Sequence, residues 1–308
     1  MTGEQHPSVR RILNEHDAGL FPTLTAGLSA PDLGSLLLAV AAERAESRDA
    51  SDVLAQFRRD RFVAPSPTSA KALRKVATIA TRIAGGFEEV ELAPLAPFGT
   101  HSVLGGISQN RVVTTTRMTE VAADPTNTLA LEAAARRRDT VEDVRLCAVQ
   151  RVTRAQLGDG PLTFAHFSIF ALVTAGRDHG NHQFEIGTLV SHINHHCALV
   201  AELGLGPAQV TLSDLSGRQQ QPLEAIATVL SQNGIDVEMW PDREAGIGYY
   251  PSLCFKVSVI DSDGTEIEIA DGGVTTWTQH LLQNKKERLV ISGAGLDRLA
   301  ATSPEIPG

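Results

Sequence analysis

Two arginines in this sequence stand where an extended segment must turn. Arg154 ends a strand-like segment and precedes a loop rich in glycine, and Arg298 follows Gly293 and Gly295 at the end of another. A guanidinium fork binds carboxylate and phosphate oxygens through paired, charge-assisted hydrogen bonds. Nearby glycines let the backbone approach such a ligand closely. The spacing therefore indicates anion-binding positions at both turns.

A second group of reactive side chains comprises His192, His195, His196 and Cys197, within about one and a half helical turns. His192 shares a helix face with His195 or His196, a spacing that metal ions can use. No HExxH pattern accompanies these residues, so a third ligand would have to come from elsewhere. A partly exposed helix face is the favoured interpretation, and metal binding is the alternative.

A mixed set of helices and strands must position these groups. Helical patterns cover 33–45, 50–58, 70–83, 129–138 and 184–203. Strand patterns cover 87–94, 112–116, 144–154, 164–173, 253–260, 265–270 and 289–293. Several strands follow one another without the helices that parallel crossovers need, which predicts an α+β fold with an antiparallel sheet flanked by helices. No GxGxxG follows a strand and no GxxxxGK[ST] occurs, so the common phosphate-loop architectures are excluded.

Composition narrows the functional classes. The 308 residues are 42% hydrophobic and carry a net charge of −9, so the chain shows no basic footprint for nucleic acid. The three cysteines form no CxxC pair and are expected to be buried and reduced. No apolar run is long enough to span a bilayer, and we expect a cytoplasmic protein. We predict an N-terminal helical segment (1–74), a core (75–303) and a tail (304–308).

Five segments, in order, resemble landmarks of the catalytic core of class II aminoacyl-tRNA synthetases of the histidyl type. The helix 70–83 and the segment from Gly86 to Pro94 resemble motif 1, which builds the dimer interface in that family. The stretch from Arg117 to Glu120 resembles the family's Arg-Pro-Glu-Gly-Thr segment, with one extra residue. The resemblance implies that Arg117 and Glu120 contact the substrate, whose amino group the glutamate would hold. A surface carboxylate before a turn is the alternative for Glu120.

The third segment resembles motif 2, a strand, a loop and a returning strand. Arg154 and Gln156 stand at the family's Arg-x-Glu triplet, the loop 157–163 contains Gly158, Gly160 and Pro161, and Phe167 lies on the returning strand. The resemblance implies that Arg154 stabilises the α-phosphate of ATP while a carboxylate attacks it. It also implies that Gln156 bonds the adenine amino group and that Phe167 stacks on adenine. An ordinary hairpin with a Gly-Pro loop is the alternative.

The last two segments complete the resemblance. The frame from Gly246 through Tyr249 and Tyr250 to Phe255 is similar to the Gly-Leu-Asp-Tyr-Tyr signature, and it implies that both tyrosines line the acid pocket. The segment from Asp271 to Gly273 and the segment 288–299 are similar to the region up to and including motif 3. That likeness implies that Arg298 holds the γ-phosphate, and that Mg²⁺ bridges the phosphates.

The sequence departs from the histidyl pattern where the substrate is read. Ile169 and Val173 stand where the family places polar groups that contact imidazole, Ala245 replaces an arginine, and Gly248 replaces an aspartate. An imidazole facing an apolar wall would lose roughly 1–3 kcal/mol per missing hydrogen bond. The chain also ends soon after motif 3, where the family continues into an anticodon-binding domain.

These features predict an adenylate-forming homodimer that activates an amino acid or another small carboxylic acid. The acyl acceptor would be a small molecule or a protein partner, and tRNA is disfavoured by the acidic charge. The rival interpretation is a non-catalytic regulatory relative, like the regulatory subunit of ATP phosphoribosyltransferase. A tRNA-related accessory protein is a third possibility, which the same charge also disfavours.

Overall fold

The computed structural model describes residues 6–156 and 163–303. The predicted loop glycines Gly158 and Gly160, Pro161 and the tail 304–308 lie outside the described residues. Ten strands occur in the described part: β1 (Glu88–Glu89), β2 (Leu95–Pro97), β3 (Thr119–Val121), β4 (Val144–Thr153), β5 (His166–Arg177), β6 (Gln209–Asp214), β7 (Val237–Met239), β8 (Leu253–Ile260), β9 (Glu266–Thr275) and β10 (Glu287–Gly295).

Eight of these strands form one sheet in the order β1-β4-β5-β10-β9-β8-β6-β7, and β2 pairs with β3 in a separate ribbon. All neighbours in the large sheet are antiparallel except β1 with β4 and β6 with β7. The predicted antiparallel α+β sheet is therefore confirmed. Its central pairs, β4–β5 and β5–β10, bring the end of β4 and the start of β5 beside the end of β10.

Helices cover both faces of the sheet. The helices are α1 (Pro7–Glu15), α2 (Leu20–Pro22, continued by a π-helical turn Thr23–Gly27), α3 (Ala30–Glu46), α4 (Ala50–Arg59), α5 (Ala70–Ile83), α6 (Thr100–Val103), α7 (Pro125–Arg137), α8 (Gln183–Glu202), α9 (Gln220–Gln232), α10 (Trp277–Leu282) and α11 (Leu296–Thr302), with a 3-10 turn at Gln109–Arg111. One buried cluster joins α5, α8, α9 and α11 to the sheet, and a second joins α7 and α10 to its opposite face.

Local signals set several helix starts. The side chains of Ser29, Asp49 and Ser69 each accept a hydrogen bond from a backbone N–H in the first turn of the helix that follows. Such caps satisfy N–H groups that have no partner within the helix. The predicted helices in 33–83 are confirmed for this reason, with ends that differ by a few residues.

Of two predicted strands, one is shorter in the structure and the other does not form. Of 87–94, only Glu88 and Glu89 pair with β4, and of 112–116, only Thr114 makes an isolated bridge, to Glu120. The segment 112–116 is joined to β3 by the hydrogen bonds from Thr115 N–H to Thr119 and from Val121 N–H to Val113, too few for a regular strand. The elements β6, α9 and β7 were not predicted, although Leu223, Ile226 and Leu230 of α9 show a helical apolar period.

No helix in the described ranges is long and apolar enough to cross a membrane.

Gly272 occupies a position in β9 with no room for a side chain. A Cβ there would lie 2.5 Å from the Cβ of Ser292 and 2.6 Å from the ring of Phe255. We therefore expect Gly272→Ala to lower the free energy of unfolding by about 1–3 kcal/mol, the usual cost of overpacking. Urea denaturation followed by circular dichroism measures this change. Gly187→Ala is the matched control, because Gly187 is helical with nothing within 4 Å, and no loss is expected there.

Candidate functional site

A cavity of about 580 Å³ opens at the ends of β4 and β10, next to α7. Six predicted site residues line it together: Arg154, Gln156, Phe167, Tyr249, Tyr250 and Arg298. They come from the end of β4, the start of β5, the segment before β8 and the start of α11. Residues up to 144 positions apart in sequence therefore meet in one cavity.

Arg154 lies beside the ring of Phe167. The guanidinium carbon is 5.3 Å from the ring centroid, within the range of a cation–π contact. Its Nε donates to the carbonyl of Ala123 at 3.0 Å, and its Nη2 is 3.5 Å from the carboxylate of Asp124. The cation is therefore held in a fixed orientation on the wall of the cavity.

Arg298 holds a corresponding position in the first turn of α11, directly after β10. Its Nη1 donates to the carbonyl of Glu268 and lies 3.9 Å from the carboxylate of the same residue. Asp297, the preceding residue, accepts the backbone N–H of Ser168 at 2.7 Å, which ties the start of α11 to β5. The second arginine is thus also fixed by a carbonyl and a carboxylate.

The two tyrosines bridge two acidic groups. Tyr250 donates to the Oδ1 of Asp271 at 2.6 Å, and the hydroxyl of Tyr249 lies 3.3 Å from the Oδ2 of Asp124. Their rings meet edge to face at 4.9 Å. Burial, followed by the nearby carboxylates, raises the pKa of both tyrosines well above its usual value, so both hydroxyls are protonated donors.

Arg243 and Asp271 form an ion pair on the cavity wall that the sequence analysis did not assign to the site. The Nη2 of Arg243 donates to Asp271, and its Nε donates to the carbonyl of Ala245 at 2.8 Å. Burial raises the pKa of Asp271, while Arg243 opposes that shift. The arrangement repeats the one at Arg154 and Asp124, where an arginine and a tyrosine also contact one aspartate. The only sequence signal was the position of Asp271 directly before a glycine pair.

Glu120 and Arg117 are not among the residues that line the cavity. The carboxylate of Glu120 is fully buried and accepts the N–H groups of Gly99 at 3.0 Å and His101 at 2.8 Å, together with the amide of Gln109. Burial raises the pKa of Glu120, but these hydrogen bonds outweigh it and lower the pKa overall. Glu120 therefore caps α6 in this structure, and Arg117 is exposed.

The cavity wall behind the arginines is apolar at the positions where the sequence departs from the histidyl pattern. Ile169 lines the cavity, and Val173 is fully buried in the cluster that joins the sheet to α7. Gly293 places its backbone beside Ile169, since a Cβ there would lie 3.2 Å from that side chain. The part of the cavity wall around Ile169 is therefore apolar, whereas Glu268 and Asp271 of β9 line the cavity with carboxylates.

The predicted partly exposed helix face holds for His195 and Cys197, which are half-buried, and was wrong for the other two histidines. His192 and His196 are fully buried beneath β5 and β10. Their rings share the hydroxyl of Ser292, at 2.9 Å from Nδ1 of His192 and 2.8 Å from Nε2 of His196, and His192 also meets Thr174 at 3.0 Å. No group of three His, Cys, Asp or Glu residues suited to a metal ion occurs within 6–156 and 163–303.

Comparisons with known proteins place this fold. No family model and no curated protein matches the sequence. Among solved structures, the chain is similar to an ATP phosphoribosyltransferase regulatory subunit/histidyl-tRNA synthetase from Bacillus halodurans, with a TM-score of 0.63 and 14% identity over 77% of this chain and 80% of that one. It is also similar to the apo histidyl-tRNA synthetase of S. aureus, with a TM-score of 0.62 and 13% identity over 80% and 71% of the two chains. A histidine–tRNA ligase subunit from Alicyclobacillus acidocaldarius gives a TM-score of 0.61 and 14% identity over 78% and 94%.

The fold is that of the class II aminoacyl-tRNA synthetase catalytic core. Solved structures with this fold include several of the histidyl type, in agreement with the resemblance carried by the sequence, and also a threonyl-tRNA synthetase.

Proposed function

We propose that this protein activates an amino acid or a related small carboxylic acid as an acyl-adenylate at the cavity described above. The observation that carries the proposal is the meeting of Arg154, Phe167 and Arg298 in one cavity, although they lie on three different elements. The volume of about 580 Å³ falls within the range of roughly 300–1,000 Å³ typical of small-molecule sites.

Each residue of the cavity has its own role in the proposed reaction. Arg154 stabilises the charge that develops on the α-phosphate when the acid's carboxylate oxygen bonds to it and pyrophosphate leaves. Phe167 and Gln156 hold adenine, and Arg298 binds the γ-phosphate. Mg²⁺ binds mainly to phosphate oxygens and needs few protein ligands. The half-exposed carboxylate of Glu268 fits that requirement, since it lies on the cavity wall and makes only a 3.9 Å contact with Arg298.

The acid pocket is proposed to take an apolar acid rather than histidine. Ile169 supplies an apolar surface, and Tyr249, Tyr250 and Asp271 supply fixed polar groups beside it. Arg117 and Glu120 are left out of this pocket because they lie outside the cavity lining. The acyl group is proposed to pass to an amine or thiol acceptor rather than to tRNA read by its anticodon, consistent with the net charge of −9.

A second candidate is a non-catalytic regulatory role, and one observation favours it. Each arginine proposed to bind phosphate already contacts a carboxylate of the chain, Asp124 for Arg154 and Glu268 for Arg298. A nucleotide would have to compete with these ion pairs. A regulatory protein with the same fold would use the cavity to sense a small acid without chemistry.

Pyrophosphate exchange into ATP, measured with a panel of amino acids and apolar carboxylic acids, separates the two candidates. We expect exchange with at least one acid, and a loss of at least ~100-fold in Arg154→Ala, because one charge-stabilising donor contributes about 10²–10³ in rate. Arg138→Ala is the matched control, since Arg138 is exposed at the end of α7 and should leave the rate unchanged. Absence of both exchange and ATP binding in calorimetry would reject the enzyme. Full exchange in Arg154→Ala would reject the site assignment.

A further inference from the structure

The segment between α4 and α5 is attached to the core beside the candidate cavity. None of the residues of α1, α2, α3 or α4 is buried, so these helices add little to the core. After α4, the carbonyl oxygen of Ala64 lies 2.7 Å from the Nε2 of His166, and the hydroxyl of Ser66 donates to Asp297 at 3.0 Å. We refer to residues 64–66 as the clasp.

Asp297 accepts the hydrogen bond from the clasp and directly precedes Arg298. Its side chain is only 1% exposed, and its Oδ1 accepts the hydroxyl of Ser66 while its Oδ2 accepts the backbone N–H of Ser168 at 2.7 Å. The Nη2 of Arg151 lies 3.5 Å from the same Oδ1. Hydrogen bonds to a carboxylate are stronger than those between neutral groups. Together they fix the first turn of α11, in which Arg298 lies, against both β5 and the clasp.

His166 makes the second attachment of the clasp. The Nε of Arg151 donates to the Nδ1 of His166 at 2.9 Å, so this nitrogen accepts and the proton lies on Nε2. Nε2 therefore donates to the carbonyl oxygen of Ala64. The Nη1 of Arg151 donates to the hydroxyl of Ser168 at 3.1 Å. Because Arg151 also approaches Asp297, both attachments of the clasp belong to one hydrogen-bond network.

This network ends at the part of the cavity where the γ-phosphate is proposed to bind. Asp297 and Arg298 both line the cavity, whereas Ser66 and His166 are not among the lining residues. A change at Ser66 therefore reaches the nucleotide space through Asp297, the chain neighbour of Arg298. Coupling between two sites is reciprocal, so a nucleotide that holds Arg298 also holds the clasp.

We propose that the clasp positions Arg298 for ATP, and that bound ATP in turn fixes the clasp on the core. This inference rests on the proposed function, because it takes the cavity as the nucleotide site. Ser66 and His166 are positioning residues in it, since they act through Asp297 and through Arg151 without touching the nucleotide. The N-terminal segment is thereby joined to the phosphate end of the site.

The dissociation constant for ATP, measured by calorimetry, and the KM for ATP in pyrophosphate exchange test the positioning role. Ser66→Ala should raise both by roughly 2- to 30-fold, the range for residues that act through a neighbour. The kcat and the KM for the acid should stay unchanged, because a γ-phosphate contact is the same in the ground state and the transition state. Ser66→Thr keeps the hydroxyl and should restore the values of the unmodified protein. Ser231→Ala is the matched control, since Ser231 is exposed on α9.

His166→Leu provides an independent variant, because it removes the donor to Ala64 and leaves Ser66 in place. We expect the same selective loss of ATP affinity. Unchanged ATP binding in both variants would overturn the role of the clasp alone, whereas no ATP binding by the unmodified protein would reject the proposed function. A loss that extends to the acid and to kcat would show a purely structural role and would also overturn the inference.

Trypsin tests the reciprocal effect without catalysis. Arg61 is exposed in the turn before the clasp, so cleavage after it reports release of the clasp. Saturating ATP with Mg²⁺ should slow this cleavage by about the factor by which Ser66→Ala weakens ATP binding, and should do so less in Ser66→Ala itself. Lys286 is the matched control site, because it is exposed at the end of β10 remote from the cavity. Equal cleavage after Arg61 with and without ATP, in a protein that binds ATP, would contradict the coupling.

Discussion

Replacing Arg137 with methionine should lower the free energy of unfolding by about 3–5 kcal/mol, the cost of leaving a buried charge without its partner. Arg137 lies at the end of α7, and its Nε and Nη2 donate to the two carboxylate oxygens of Glu287 at 3.0 and 3.1 Å. Its Nη1 also donates to the carbonyls of Thr140 and Glu142. Both side chains of the pair are almost fully buried, so the carboxylate left behind would have little access to water.

Glu287 has one further partner, which does not remove this cost. The Nε of Arg177 lies 3.2 Å from the carboxylate, but that arginine is half exposed and contacts only one oxygen. Most of the hydrogen bonding to Glu287 therefore comes from Arg137. The pair also joins α7 to the start of β10, which helps to hold the sheet against the helix beside the cavity.

Arg136 provides a matched control for this prediction. It is the neighbouring residue, forms ion pairs with Glu88 and Glu132, and is partly exposed. Exposed pairs contribute about 0–1 kcal/mol, so Arg136→Met should change the unfolding free energy little. Urea denaturation of both variants gives the comparison. Adding Glu287→Gln to Arg137→Met should recover part of the loss, since the stranded charge is then absent. Equal losses for the two arginine variants would refute the interpretation.

The second prediction with a large effect concerns the free energy of unfolding at acidic pH. His192 and His196 are fully buried, and burial, together with neighbouring charges, lowers the pKa of His192 well below 6.5 and that of His196 to about 3. The unfolded chain, whose histidines have a pKa near 6.5, therefore binds more protons than the folded chain once the pH falls below that value. Stability is unaffected by these groups above about pH 6.5. It falls toward pH 3, by up to about 1.4 kcal/mol per pH unit for each imidazole.

Unfolding measured between pH 7 and pH 4 tests this dependence. His196→Leu should flatten the slope of unfolding free energy against pH by roughly 1.4 kcal/mol per pH unit, because one buried proton acceptor is gone. Asn194→Leu is the matched control, since Asn194 is partly buried on the same helix and has no titratable group, so the slope should stay unchanged. An unchanged slope in His196→Leu would show that the buried imidazoles do not determine the acid sensitivity.

Much of the fold was present in local sequence patterns. The apolar patterns over 33–45, 50–58 and 70–83 predicted α3, α4 and α5, because the spacing of apolar residues acts within a few residues. The strands around Arg154 and Arg298 were predicted for the same reason. Both arginines and Phe167 line one cavity. Residue spacing alone does not predict that these three residues lie together. The order of the motifs along the chain and the resemblance to a known family did predict it.

Tertiary structure decided the partners of the charged and polar groups. Arg137 stands in a run of three arginines, 136–138, which is typical of a solvated helix surface, yet it contacts Glu287, 150 residues away. Glu120 was predicted to be a substrate-binding or a surface carboxylate, yet it caps α6. Arg243 and Asp271 form an ion pair across 28 positions, although the sequence showed only the position of Asp271 before a glycine pair. A local pattern fixes which face of an element is apolar. It does not fix which distant element packs on that face, and the ion pairs and buried histidines depend on that packing.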